Sequence, residues 1–323
     1  MKKKTGRKHS LDVDLRQEVR RTINDKKEAI TLDKAYELFR HECELKEYSK
    51  HTIEYYDREM RTVRRLLVEV GAPIHDLGSL TSDDMYAIMT HQKERGLKPN
   101  TVNARMRAIK AVMNWAIDKR YIDKTPFDDV ILPSVRHQVG ATLTKQQLKR
   151  LLEAPDLTTF IGLRDYVLLL TFAHTGARVS EVADLTVQCV SFEDDAITFK
   201  RTKNGKVRRI PMSKQLNKAM KAWFKVRGND LDTDALFVTH FDEAMDNRQM
   251  QKRIKVYAIE TGVEKEVPVS PHAFRRTFAK MKIQNGVDVF TVQALMGHSS
   301  LEQLQQYVML YSEDLRKGID TGF

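Results

Sequence analysis

Six residues in the second half of the chain have side chains that together could handle a phosphodiester: Arg178, Lys203, His272, Arg275, His298 and Tyr307. Arginine offers a planar fork of N–H donors that matches two phosphate oxygens. Two arginines can therefore clamp a phosphodiester and offset the extra charge of a pentacovalent transition state. A tyrosine hydroxyl, with a pKa of about 10, attacks phosphorus only if a base takes its proton and positive charge lies close. Histidine suits that transfer near neutral pH. A lysine ammonium can protonate the departing sugar oxygen.

The local contexts fit these roles. "HTGARVSEVADL" places Arg178 just after a Thr-Gly break, at the opening of a helix continued by Val182 and Leu185, and helix starts favour anions through free N–H groups and the dipole. Lys203 adjoins an Asn204-Gly205 turn, with Lys200, Arg201 and Lys206 nearby as rivals. "PHAFRRTFA" sets His272 and, one helical turn on, Arg275 on the same face. "LMGHSSLEQLQQYVMLY" has His298 near a helix start capped by Ser299 or Ser300, and Tyr307 further along. Singly, each has a plainer reading: Arg178 as a helix-end ion pair, His272 as a satisfied core histidine, Tyr307 as one face of an amphipathic helix. Arg276, Arg208 and Arg209 read as contacts to a phosphate backbone or as plain surface. No metal or cofactor is expected. "HECEL" lacks the second histidine of a zinc-protease helix, the Asp-Asp pairs sit beside turns or helix starts, and no phosphate-binding glycine loop appears. The energy of the broken bond would then be kept in a covalent phosphotyrosine.

These residues need a scaffold. "TLTKQQLKRLLEAP", with Thr142 or Thr144 as cap, opens a mostly helical domain running from Ala141 to the end. Its clear strand pair is "DAITFKRTKNGKVRRIPM". Ile197 and Phe199 alternate with polar residues, Asn204-Gly205 marks a hairpin turn, and Val207, Ile210 and Met212 resume the apolar positions. Before it, "DKTPFDDVILPSVRHQVGAT" lacks helical periodicity and reads as a linker, 122–140. Residues 29–121 are helical in pattern. Ile53, Tyr56, Met60, Val63, Leu67 and Val70 form one apolar stripe behind a Ser49 cap, leaving Arg58, Arg61, Arg64 and Arg65 on the other face. A second stripe, Val102, Met106, Ile109, Met113 and Ile117, follows an Asn100 cap and shows Arg105, Arg107 and Lys110 outward. Two helices with basic outer faces suggest a module that grips nucleic acid. Residues 1–28 carry ten Lys/Arg against five Asp/Glu and read as a basic arm.

Bulk properties agree with a polyanionic partner. The 323-residue chain carries 55 Lys+Arg against 44 Asp+Glu, a formal charge of +11, and neutralised phosphates release their counterions. Its two cysteines, Cys43 and Cys189, have no metal-type spacing and fit a reducing compartment. The apolar run "YVLLLTFA" is far shorter than the ~20 residues of a membrane span. A cytoplasmic, nucleoid-associated protein without a membrane contact is expected.

"TGARVSE", a lysine in a hairpin ending "RRIPM", "HAFRRTFA" and "LMGHSSLEQLQQY" resemble, in order, the signature boxes of the tyrosine recombinases, the phage-integrase family. The resemblance covers essentially all of Ala141 to Tyr311, and the preceding helical module is similar to that family's core-binding domain in pattern. It implies a mainly α fold with a small β-sheet, a helical core-binding domain and a mixed α/β catalytic domain (141–323) closing as a C-shaped clamp. It assigns catalysis to Arg178, Lys203, His272, Arg275, His298 and Tyr307, the spacing from His298 selecting Tyr307 over Tyr311. Arg58, Arg61, Arg65, Arg105, Lys110 and Arg276 become candidate DNA contacts. The implied function is site-specific recombination of a mobile element, through a 3′-phosphotyrosyl intermediate and a Holliday junction. Its partners would be double-stranded DNA with specific recombination sites, a homotetramer on paired sites, and an accessory directionality factor. The alternatives are a Xer-like dimer resolvase, a type IB topoisomerase, and a non-catalytic DNA-binding regulator. Met296 replaces the usual leucine before Gly-His.

Overall fold

The computed structural model describes residues 29–135, 140–200 and 207–297. The basic arm, Lys203 and its turn, His298 and Tyr307 lie outside the described residues. Those described fall in two compact units that part between residues 135 and 140.

The first unit packs four helices, α1 (Leu32–Leu45), α2 (Lys50–Glu69), α3 (Ser82–Glu94) and α4 (Pro99–Asp118). Thr31, Ser49 and Thr81 each accept a backbone N–H at a helix start, removing an orphan donor there. The Asn100 cap does not form. The helix begins instead at Pro99, after Lys98, because the proline ring presets the backbone angle of a first helical turn and needs no N–H there. Met60, Val63 and Leu67 of α2 and Val102, Met106, Ile109 and Met113 of α4 are buried as their stripes predict. Ile122 and Phe127 are buried in the same core. The packed unit therefore continues past Tyr121 into the segment whose prolines suggest a linker.

The second unit is built around α6 (Phe160–Thr175). Val167 to Leu170 and Phe172 are all buried, as befits a stretch of helix that is apolar through more than one full turn. Around it lie α5 (Lys145–Glu153), α7 (Val179–Ala183), α8 (Lys214–Arg227), α9 (Asn247–Glu260), α10 (Val263–Glu266), α11 (Pro271–Gln284) and α12 (Val289–Met296). Thr144, rather than Thr142, caps α5 in a reciprocal pair with Gln147. The expected strand pair is present as β2 (Ala196–Phe199) against β3 (Arg208–Pro211), antiparallel with Phe199 opposite Arg208. A third strand, β1 (Val190–Ser191), pairs with β2. No helix among the described residues is long and apolar enough to cross a membrane.

Candidate active site

The site begins where α6 stops. Gly176 caps the helix in the left-handed region, at φ +58°, a conformation that costs an L-residue about 1–2 kcal/mol. The position is also crowded, since a Cβ there would lie 2.6 Å from the Phe278 ring. This turn aims the Gly176 carbonyl at Arg275, whose Nη1 donates to it at 2.5 Å while Nη2 donates to the Met296 carbonyl at 2.7 Å. Arg275 is 4% exposed. Its apolar neighbours Phe274 and Phe278, both buried, carry it inward, and it joins the ends of α6 and α12 to α11. Gly176→Ala should therefore lower stability by at least about 1–2 kcal/mol from backbone strain alone. The expected readout is a lower urea midpoint at unchanged m; a wild-type midpoint would show that the turn relaxes without cost.

Arg178 stands at the cap of α7. Its backbone N–H donates to Glu181 Oε2 at 2.9 Å, and its Nη1 donates to Oε1 at 2.7 Å. The expected open anion site at this helix start is thus already occupied by the Glu181 carboxylate, and α7 is only five residues long. What remains for an anion is the Arg178 guanidinium itself, 21% exposed. Glu181 also receives Arg208 Nη2 at 2.7 Å. Arg208 is 7% exposed, so of its two expected readings, phosphate-backbone contact or plain surface, the second does not hold. The inward alternation runs through Arg208 and Ile210 of β3 to Met212 just beyond it, with Val207 exposed. Arg209 faces outward and pairs with Asp194.

His272 lies on the open side of α11. The protein around the ring, then the guanidiniums of Arg276, Arg275 and Arg178, hold its pKa below the ordinary imidazole value. His272, Arg275 and Arg178 thus lie near enough for the two guanidiniums to act on the imidazole. Arg276 has another attachment. Its Nε donates to the Ala141 carbonyl at 2.9 Å, and its guanidinium fills the space where a Cβ at Gly140 would stand. It fastens the start of this unit to α11.

His272 also lines a cleft of about 500 Å³ together with Val179, Ser270, Arg248, Gln251 and Lys252. The last three project from α9, and sequence reasoning missed them. The signal was present in "NRQMQKRIKVYAIE", where Met250, Ile254, Tyr257 and Ala258 form the buried stripe and Arg248, Gln251 and Lys252 are exposed. A fully buried carboxylate fixes this helix to α6. Asp165 accepts from Arg253 Nε at 2.5 Å, Tyr257 Oη at 3.0 Å and Arg164 Nε at 2.9 Å. Burial and Asp165 push the Tyr257 phenol up to about 12, which keeps it a donor.

The candidate DNA contacts of the first unit divide. Arg58, Arg61 and Arg65 are exposed on α2; Arg58 meets Glu59 at 2.9 Å and Arg65 approaches Glu69 at 3.6 Å. Lys110 lies half-buried over the Phe127 ring. Arg105 does not point outward. It is 17% exposed and lies between Gln92 at 2.5 Å and Glu59 at 3.7 Å, because both partners come from neighbouring helices that its own stripe does not reveal.

Comparison with known proteins gives a consistent picture. The family model described as "Phage integrase family" matches residues 141–313, and the one described as "Phage integrase, N-terminal SAM-like domain" matches residues 38–120. The chain is 29% identical over 279 residues to tyrosine recombinase XerC of Neisseria meningitidis serogroup C, spanning 85% of this chain and 90% of that one. It is 28% identical over 281 residues to XerC of Roseiflexus castenholzii, at 85% and 88% coverage. Among solved structures, a lambda integrase dimer bound to a core site superposes with a TM-score of 0.72 at 15% identity, covering 93% of this chain and 81% of that chain. The Tn1549 transposon integrase in complex with circular intermediate DNA gives 0.70 at 22% identity, covering 86% and 95%.

Proposed function

Since this chain belongs to the phage integrase family and is a tyrosine recombinase that cleaves and rejoins DNA, we propose that Tyr307 is its nucleophile. Attack of the Tyr307 hydroxyl on a scissile phosphate leaves a 3′-phosphotyrosyl link and releases a 5′-hydroxyl. Arg178, Arg275 and His298 stabilise the phosphorane, His272 takes the tyrosine proton, and Lys203 gives a proton to the 5′-oxygen. The freed hydroxyl then attacks the phosphotyrosine of a partner strand. Exchange passes through a Holliday junction in a homotetramer on paired sites. The observation that carries this reading is the meeting of two guanidiniums with a histidine held below its ordinary pKa.

The exposed arginines of α2 and the Arg248, Gln251 and Lys252 face of α9 serve as further contacts to duplex DNA. Action on chromosomal DNA would keep the protein in the cytoplasm with the nucleoid. Integration and excision of a mobile element, assisted by a directionality factor, is the first reading of its role. The XerC relatives, matched along most of both chains, favour resolution of chromosome or plasmid dimers as the second. The test is covalent capture of duplexes from a randomised pool, followed by joining of two captured sites. Joined products support recombination. Relaxation of supercoils without joining would indicate a topoisomerase, and binding with no denaturant-resistant adduct would indicate a regulator.

His272 sets the expected pH dependence. As proton acceptor it must be neutral, and its lowered pKa keeps it so at pH 7. Single-turnover cleavage should stay level from pH 8 down to about 6.5, the ordinary imidazole value, and fall only below it. A decline already under way between pH 8 and 7 would remove His272 from this role.

A further inference from the structure

Arg208 is a charge that the chemistry above does not use. It is 7% exposed, its guanidinium lies 4.9 Å from the centre of the Phe199 ring, and its Nη2 is committed to Glu181. Its Nε and Nη1 are buried and make no hydrogen bond among the described residues. Idle buried donors on a cation are costly, and an apolar residue such as Ile210, two positions on, would fill a strand core without that penalty. Burial accordingly lowers its pKa against the opposing pull of Glu181.

The geometry explains what Arg208 does for its neighbours. A single carboxylate, 3% exposed, faces two guanidiniums: Oε1 meets Arg178 and Oε2 meets Arg208. Shared in this way, Glu181 leaves the pair of arginines with a net positive charge. If Glu181 faced Arg178 alone, the ion pair would be neutral, and an arriving phosphate would have to displace the carboxylate. We infer that Arg208 is a positioning residue that draws part of the Glu181 charge to itself, so that Arg178 stays both oriented and electrostatically available to the scissile phosphate. This rests on the reading of Arg178 as a phosphate ligand given above. The same guanidinium underlies Gly297, where a Cβ would lie 3.2 Å from Nη1 and the backbone adopts φ +62°. One side chain thus links β3, the α7 cap and the turn that precedes His298 in the chain.

The probe is a nicked duplex obtained by covalent capture from a randomised pool on the wild-type protein. Adduct formation under single-turnover conditions and gel-shift affinity are read for Arg208→Met, Arg208→Lys, Glu181→Gln and the Arg208→Met/Glu181→Gln double variant, with urea midpoints to check folding. Arg208→Met should bind within about threefold of wild type and cleave roughly a hundredfold more slowly, the scale of one lost donor to developing charge. Arg208→Lys, which keeps the charge but not the fork, should recover about tenfold of that loss. The double variant should cleave about tenfold faster than Arg208→Met, because a neutral amide no longer competes for Arg178; a purely structural role for Arg208 would make the double variant the slower one. A double variant no faster than Arg208→Met, or an Arg208→Met protein that cleaves like wild type, overturns the inference. Should Arg208→Met not fold, Arg208→Gln with and without Glu181→Gln gives the same comparison. Absence of any adduct from the wild-type protein would instead overturn the assignment of Tyr307 chemistry to this chain.

Discussion

Tyr307→Phe protein is expected to bind its DNA site with wild-type affinity and to form no covalent adduct. Phenylalanine keeps the ring but has no oxygen to attack phosphorus, so the loss falls on the chemical step. Removal of an enzymatic nucleophile lowers turnover on the order of 10⁴–10⁶-fold, which in an adduct assay reads as none. Tyr311→Phe, four residues on, should retain most activity. A denaturing gel of protein on nicked duplex, beside a gel shift on the same DNA, separates the two effects. An adduct that persists in Tyr307→Phe and vanishes in Tyr311→Phe would move the nucleophile to Tyr311.

Arg275→Ala carries the second large effect, and it has two parts. One is catalytic. Loss of a preorganised donor to developing charge costs about 10²–10³-fold in rate. The other is structural, because the guanidinium fork is the partner of the Gly176 and Met296 carbonyls. A buried carbonyl left without its donor costs about 1–3 kcal/mol, so stability should fall by several kcal/mol with both exposed to that loss. Arg275→Lys should not rescue either part fully, since an ammonium cannot span two diverging acceptors as a planar fork does. Urea unfolding and single-turnover cleavage measure the parts separately. Wild-type stability in Arg275→Ala would mean that the carbonyls find other donors and that Arg275 serves the phosphate alone.

Local rules account for much of this architecture. The α2 and α4 stripes, the Ser49 cap, the β2–β3 pair and the Thr-Gly break before Arg178 all follow from periodicity and turn chemistry within a short window. The features that were not legible depend on partners distant in the chain. Arg208 and Arg209 are adjacent and identical in type. Only Glu181, brought in from the α7 turn, makes the first a buried residue, while Asp194 beside the outer edge keeps the second at the surface. Arg105 turns inward for the same kind of reason, toward Glu59 and Gln92 on other helices. Strand β1 has two residues, too few for any alternation to register. In the candidate site, residue types and order pointed to Arg178, His272 and Arg275 as candidates, but not to the fastening of the fold by Arg275.

The anchoring of α9 has a consequence for how such a protein could acquire a new target. The residues that hold this helix, Arg253 and Tyr257 on the Asp165 carboxylate, are on a different side from Arg248, Gln251 and Lys252, which open on the cleft. Attachment and the proposed DNA contacts therefore fall on separate faces of one helix. Exchange of the outward three residues would alter the chemical pattern offered to base edges and phosphates while the Asp165 anchor held the helix axis in register with α6. On the proposed DNA contacts, drift in target sequence, or deliberate retargeting by a small combinatorial library at those positions, needs no accompanying repair of the interior.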